Sequence, residues 1–372
     1  MNTTFRFKLA AFTFAGLLVL PTFDQVLDLS ASFRSTENRR QSGMPALELV
    51  HIRSFARQFG QYYKENFGWR NALFYAYSRW KLNVLGLSPL PEKVIVGKQG
   101  WFYLGNSYNH VMDQHRGLMP LSADSAQLIA RHLAKRQQQL ARQGVRLYVM
   151  IAPDSHTIYP EHLPDQLTPA PVPTRLDVLR QAMATTTVPF VDIRDTLLDA
   201  KRREVVYYQT DTHWNDYGSL IGSVTLLNTI RRAVPALPPA RLSDYQIEKQ
   251  GGLGGDLTTM LTVQREHKDP VFFLITPSPA RQGRRVAEVP NPELGFPSTR
   301  FVKADADTAG LPRLLFIGDS FSHSMMQFVS GYFQSSYFIR GRHLDQAAIT
   351  AEQPTVLVVE VVERNIGDLA TL

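Results

Sequence analysis

Apolar residues recur along this chain with two periods, and the alternation of the two organises most of its length. An uncharged apolar run covers 9–23, preceded by Arg6 and Lys8 and closed by Asp24. About 15 apolar positions make a signal-peptide core or a short anchor, since a full span needs ~20. The small-residue pattern at Leu29-Ser30-Ala31-Ser32 is a weak cleavage site, so an uncleaved anchor with its basic end inside is expected. A polar linker with Arg39-Arg40 follows over 30–44. Spacings of three and four then link Leu47, Val50, Phe55, Phe59, Tyr62 and Tyr63, which predicts a helix. Phe67-Gly68-Trp69-Arg70 interrupts it, and a second helix is predicted over 71–85, carrying Phe74, Tyr77 and Trp80. Such an aromatic stripe is expected to pack in the core.

Beyond residue 90 the pattern becomes that of an α/β domain. Short apolar runs at 94–96 and 101–104 flank Gly97-Lys98-Gln99-Gly100 and predict a hairpin. Helices are predicted over 122–143, capped by Ser122 and ended by Gly144, over 174–184, and over 217–234. Strands are predicted at 145–152, 188–193 and 205–208. The stretch 237–313 is rich in Pro and Gly and reads as a loop-rich insertion with one strand at 271–275. An apolar run ends in Gly318-Asp319-Ser320. A helix to about 333, a strand at 337–339, a helix at 344–350 and a strand at 355–362 complete the chain. Helices alternating with strands imply a parallel sheet flanked by helices. The expected organisation is 1–29 as anchor, 30–90 as linker and helical region, and 91–372 as one α/β domain.

Composition changes this picture in three ways. The 372 residues carry a formal charge of +7, which favours an acidic partner; without a dense Lys/Arg stripe, nucleic acid is the weakest of these. The chain has no cysteine, which excludes disulfides, thiolate-ligated zinc and thiol catalysis. Gly251-Gly252-Leu253-Gly254-Gly255-Asp256 lacks the Lys-Ser/Thr of a phosphate loop.

Candidate chemistry sits at strand ends. Gly318-Asp319-Ser320 offers a serine at a strand-to-helix turn, where backbone N–H groups can hold an oxyanion. The bland reading is an N-cap. A serine nucleophile needs a base, and the base needs an orienting group. In an extended Asp211-Thr212-His213 segment the carboxylate and the ring share a side, so Asp211 can orient His213 and Trp214 can shield the pair. His323 is a competing base, His156 and His162 are candidate substrate contacts, and a zinc site joining Asp211 and His213 to one of these ranks well below.

With both tripeptides in hand, the chain resembles the SGNH-hydrolase-like alginate O-acetyltransferase family of the AlgJ/AlgX type. Phe67-Gly68-Trp69-Arg70, the 94–101 stretch, Thr157-Ile158-Tyr159-Pro160, Gly255-Asp256-Leu257 and Glu360-Val361-Val362-Glu363-Arg364 match in order. The resemblance implies an SGNH-like domain and a catalytic Ser320, His213 and Asp211, with Tyr159, Arg364 and Trp214 as substrate contacts and no cofactor or metal. It leaves the oxyanion hole unassigned beyond the Ser320 N–H, and His156 departs from the family pattern. The family's C-terminal carbohydrate-binding module is not expected in the short stretch after Ser320. It further implies periplasmic acetylation of an exopolysaccharide such as alginate, at the inner membrane, within an export and modification complex. A membrane-bound O-acyltransferase would supply the acetyl group; a neutral glucan acceptor stays open. The same triad with water as acceptor would be an O-acetylesterase, and a degenerate site would leave a scaffold.

Overall fold

A computed structural model describes residues 3–30, 42–47, 52–290, 296–304, 308, 310–341 and 343–372. Among these the strands are β1 Val94–Val96, β2 Phe102–Leu104, β3 Arg146–Ala152, β4 Phe190–Asp192, β5 Tyr245–Gln250, β6 Phe272–Pro277, β7 Gly283–Val289, β8 Ser298–Lys303, β9 Arg313–Gly318, β10 Ser335–Arg340 and β11 Val356–Val362. Seven form the central sheet in the order β4-β3-β11-β9-β10-β8-β7. The first five are mutually parallel, while β8 and β7 extend the β10 edge antiparallel.

The three middle strands explain why the sheet is a two-sided layer. Strands β3, β9 and β11 are apolar almost throughout, as strands covered on both faces must be. Their alternating side chains feed two cores. Leu147, Val149, Ile151, Leu315, Ile317, Leu357 and Val359 face one core, closed by helices Ala123–Ala141 and Arg175–Met183. Tyr148, Met150, Phe316, Val356 and Val358 face the other, closed by helices Asp216–Ala233 and Ser322–Val329. Because these strands run parallel, Pro153-Asp154, Asp319-Ser320 and Glu363-Arg364 all emerge at one end, where ligands of such sheets collect.

The anticipated parallel sheet flanked by helices is present, and the predicted helices over 122–143, 174–184 and 217–234 form within a few residues of their expected bounds. Ser122 caps its helix by accepting from the Ser125 N–H at 3.1 Å. Four local expectations change. Residues 205–208 form no strand; Tyr207 makes an isolated bridge to Trp214 instead. Among the described residues, the stretch 237–312 carries four strands where one was expected. Its polar, half-exposed strands (Gln246, Glu248 and Lys249; Arg284, Arg285 and Glu288) gave no apolar run to read. The aromatic stripe of the N-terminal helices, Ile52–Asn66 and Arg70–Leu85, does not lie in the core: Phe59, Tyr63, Tyr77 and Trp80 are all exposed. Leu47, expected at the start of the first of these helices, is not helical; the described helix covers Ile52–Asn66. Arg39-Arg40, most of the expected linker, and Val50 fall outside the described residues. At the chain start, helix Thr3–Leu27 contains an apolar segment, Thr4–Asp24, long enough to cross a membrane.

Candidate active site

Strand β9 ends at Gly318, where the turn leaves no room for a side chain. A Cβ at 318 would lie 2.6 Å from the Ser322 Cβ and 2.8 Å from a Glu360 oxygen. Asp319 then ties the turn to β11: its carboxylate accepts from the Phe321 N–H at 2.9 Å and the Val362 N–H at 2.8 Å, while its own N–H donates to Glu360 at 3.1 Å. Glu360 is buried, and desolvation together with the Asp319 charge pushes its carboxyl well above the usual range. Ser320, next in the chain, is therefore held by two strands rather than one.

Opposite it, the 208–213 segment is held by side chains where a sheet ladder would otherwise hold it. Asp269 accepts from the Gln209 N–H, the Thr210 N–H and the Thr210 hydroxyl. Asp256 accepts from the Thr212 N–H at 2.8 Å and the Thr212 hydroxyl at 2.7 Å. Thus fixed, Asp211 lies 2.7 Å from Nδ1 of His213, and Nε2 of the same ring lies 2.8 Å from the Ser320 Oγ. Asp211 also accepts from the His213 N–H at 3.0 Å and the Asp256 N–H at 2.8 Å. Three residues named from sequence are thereby brought into one hydrogen-bonded chain.

Electrostatics fit the geometry. Burial alone would raise the Asp211 carboxyl, but the His213 hydrogen bond, the ring's charge and two backbone donors bring it below its ordinary value. Burial alone would lower His213; Asp211 outweighs it, with Asp256 adding to the effect, and the ring is raised above 6.5. Asp256 is pushed up to about 6 by burial and by the neighbouring Asp211 charge.

The cleft over this chain has a volume of about 800 Å³, within the size range of small-molecule sites. Tyr108, Tyr208, Phe296, His323, Arg340 and Arg364 help to line it. Arg364 pairs with Asp154 through its guanidinium and its backbone N–H, the latter at 3.0 Å, so the sheet end fixes its position. Trp214 borders the cleft but is 1 % exposed; its indole N–H donates to Ser324 at 2.8 Å. Tyr159 does not reach the cleft. Its hydroxyl accepts from the Val206 N–H at 3.0 Å and its ring packs 4.2 Å from Trp101, so it supports the core beneath the triad loop. His156 and His162 also lie elsewhere, one beside His115 at 4.7 Å and the other stacked on Trp101 at 5.0 Å. The zinc alternative built on them therefore lacks its third ligand. Asp211, His213 and Asp256 do offer donor atoms within 4.8 Å of one another, but both ring nitrogens of His213 and both Asp256 oxygens are engaged in hydrogen bonds.

Sequence reasoning assigned no role to Asp256, Asp269 or Glu360. The first and last stand within motifs, Gly255-Asp256-Leu257 and Glu360-Val361-Val362-Glu363-Arg364, that were visible but silent as to function. Asp269 gave no signal, since its contact spans 59 residues.

A family profile described as the SGNH hydrolase-like domain of acetyltransferase AlgX matches residues 94–336. The chain is 28% identical over 237 residues to the probable alginate O-acetylase AlgJ of Pseudomonas aeruginosa, covering 62% of this chain and 55% of that protein. It is 27% identical over 219 residues to the protein of the same name from Pseudomonas syringae pv. tomato, covering 58% and 51%. The chain thus spans about half the length of these curated relatives. Among solved structures, Bacillus cereus PatB1 superposes with a TM-score of 0.57 over 75% of this chain and 98% of that one; at 15% identity this likeness concerns the fold.

Proposed function

Because the chain belongs to the SGNH hydrolase-like acetyltransferase family of AlgX, we propose that it transfers acetyl groups to hydroxyls of an exopolysaccharide, through Ser320, His213 and Asp211. The observation that carries this reading is the unbroken chain Asp211–His213–Ser320, with contacts of 2.7 and 2.8 Å. In the first half-reaction the Ser320 Oγ attacks the carbonyl carbon of an acetyl donor while His213 Nε2 takes its proton. The tetrahedral intermediate collapses, the donor's leaving group departs with that proton, and acetyl-Ser320 remains. In the second, a sugar hydroxyl gives its proton to His213 and attacks the acetyl carbon; Ser320 leaves and recovers the proton. Asp211 holds the ring's tautomer and stabilises the imidazolium in both halves. The Ser320 N–H supplies one oxyanion donor, and Arg364, fixed by Asp154 and lining the cleft, is a substrate contact.

The names of the AlgJ relatives make alginate, a uronate polymer, the first acceptor to test. The donor is supplied by a membrane-bound O-acyltransferase partner, with the catalytic domain in the periplasm, held at the inner membrane by the N-terminal helix and working within an export complex. The test is acetyl release from a chromogenic ester with and without oligouronate, followed by product mass. Acetylated oligosaccharide is the expected product. Hydrolysis unaffected by sugar, with no acetylated sugar formed, would make the protein an esterase. In cells, polymer acetylation that persists in Ser320→Ala and His213→Ala would leave only a scaffold.

A further inference from the structure

The aromatic stripe that the fold leaves uncovered has a defined geometry. On helix Arg70–Leu85, Tyr75, Ser78 and Leu82 turn toward the body of the domain; Ser78 and Leu82 are buried, and the Tyr75 hydroxyl donates to Glu266 at 2.6 Å. On the opposite side, Leu73, Tyr77, Trp80 and Val84 follow one another at helical spacing and are 58%, 42%, 51% and 68% exposed. Isolated exposed apolar residues need no explanation, but a continuous stripe does. The preceding helix Ile52–Asn66 repeats the arrangement. Phe55, Phe59, Tyr63 and Phe67 form a ladder of rings 5.7–6.4 Å apart. Arg53, Arg57 and Lys64 lie exposed on a flank of that helix, away from the ladder.

What covers these stripes is indicated by where the two helices meet. Their junction, Gly68-Trp69, sits against the end of the apolar segment Thr4–Asp24. The Asp24 carboxylate accepts from the Trp69 N–H at 2.7 Å, and Gly68 lies so close that a Cβ would be 2.2 Å from the Pro21 carbonyl oxygen. That apolar segment is only 6% buried within the structure. A helix crossing a bilayer with Arg6 and Lys8 on the inner side would therefore deliver the junction to the outer surface of that bilayer. There, helices with a Trp/Tyr/Leu face and a basic face have their lowest energy in the plane of the headgroups.

We propose that the elbow of helices Ile52–Asn66 and Arg70–Leu85 lies in the headgroup layer of a lipid bilayer, with Leu73, Tyr77, Trp80 and Val84 directed at the acyl chains. The elbow then acts as a mount, because its other side grips the site. Tyr75 and Arg79 meet Glu266, the latter at 3.6 Å. Three residues on, Asp269 holds Gln209 and Thr210, the residues before Asp211. The catalytic cleft is thus held at a fixed height over the membrane face.

The absence of cysteine allows a direct test with the full chain reconstituted in phosphatidylethanolamine–phosphatidylglycerol vesicles. Single Leu73→Cys and Val84→Cys variants, each carrying a fluorophore, are compared with Leu128→Cys, an exposed apolar site on helix Ala123–Ala141. The expected result is several-fold stronger quenching by nitroxide-bearing lipids at 73 and 84 than at 128, with the reverse order for aqueous iodide. Equal quenching at all three sites would overturn the proposal. Protection from both quenchers would overturn it too, since the stripe would then be covered by protein, such as a second copy. Finding the chain in cells without its first helix would do the same, because nothing would hold the elbow at a bilayer. None of these outcomes depends on acetyltransferase activity, so this proposal and the acetyl-transfer chemistry fail separately.

Discussion

Asp256 meets the triad without belonging to the proton path. It holds Thr212 by two hydrogen bonds and stands 4.0 Å from Nδ1 of His213, so its negative charge adds to that of Asp211 in stabilising the imidazolium. The proposed base, His213, must be neutral to accept the Ser320 proton, so on that reading kcat/KM is expected to fall as pH drops through the His213 pKa. Because that pKa is raised, the inflection should lie above 6.5. Asp256→Asn removes one of the charges that raise it. The inflection should move down, with kcat reduced by roughly tenfold; an unmoved inflection in a pH–rate profile would show that Asp256 is only structural. Removing the proposed nucleophile or the proposed base is a larger change. Ser320→Ala and His213→Ala should each lower kcat by about 10³-fold or more, and Ser320→Ala should form no acetyl-enzyme by intact mass.

At the scale of elements, the nucleophile turn depends on β9 and β11 meeting through Asp319 and Glu360. A methyl at 318 collides with this junction, so Gly318→Ala should cost about 1–3 kcal/mol, read as a lower denaturant midpoint with unchanged slope. Glu360 gives a pH test of the same junction. Its folded pKa lies above the ordinary 4.5, so its contribution to stability is complete below that value and declines as pH rises toward the folded pKa. Glu360→Gln keeps a donor and an acceptor but has no proton to lose. Its Tm relative to wild type should therefore rise as pH climbs above the ordinary carboxyl value, whereas a constant difference would mean that Glu360 is ionised in the fold. This junction also marks how far sequence could be read. The apolar runs of β3, β9 and β11 announce themselves, as does the carboxylate two residues before His213, because both are local patterns. Glu360 is legible as part of an apolar strand but not as the partner of Asp319, 41 residues away. Nor could the exposure of Tyr77 and Trp80 be foreseen: helical periodicity shows that a stripe exists, not what lies opposite it. Tyr159 was drawn to the cleft by its motif, and only packing against Trp101 reveals it as support for the core.

For the whole molecule, the formal charge of +7 is a long-range property that no single contact expresses. The cleft itself is lined by Arg340 and Arg364 but also by Asp211 and Asp256, so any attraction belongs to the surface as a whole. An anionic polymer approaching such a surface is drawn by a field that salt screens over about 8 Å at physiological ionic strength. A neutral glucan feels no such attraction. The proposed acetyl transfer, half-buried beside Asp211 and His213, would be screened far less. Salt should therefore separate acceptor binding from chemistry. If the acceptor is a uronate polymer, its KM should rise several-fold between low and moderate ionic strength while kcat stays nearly constant. Formation of acetyl-Ser320 from a neutral ester donor should be indifferent to salt over the same range. Steady-state kinetics with oligouronate and with an uncharged β-glucan oligosaccharide of equal length would measure both. A salt-dependent KM for the uronate alone supports an acidic acceptor; equal KM values that ignore salt would show that the basic charge serves something else and that the acceptor is a neutral glycan.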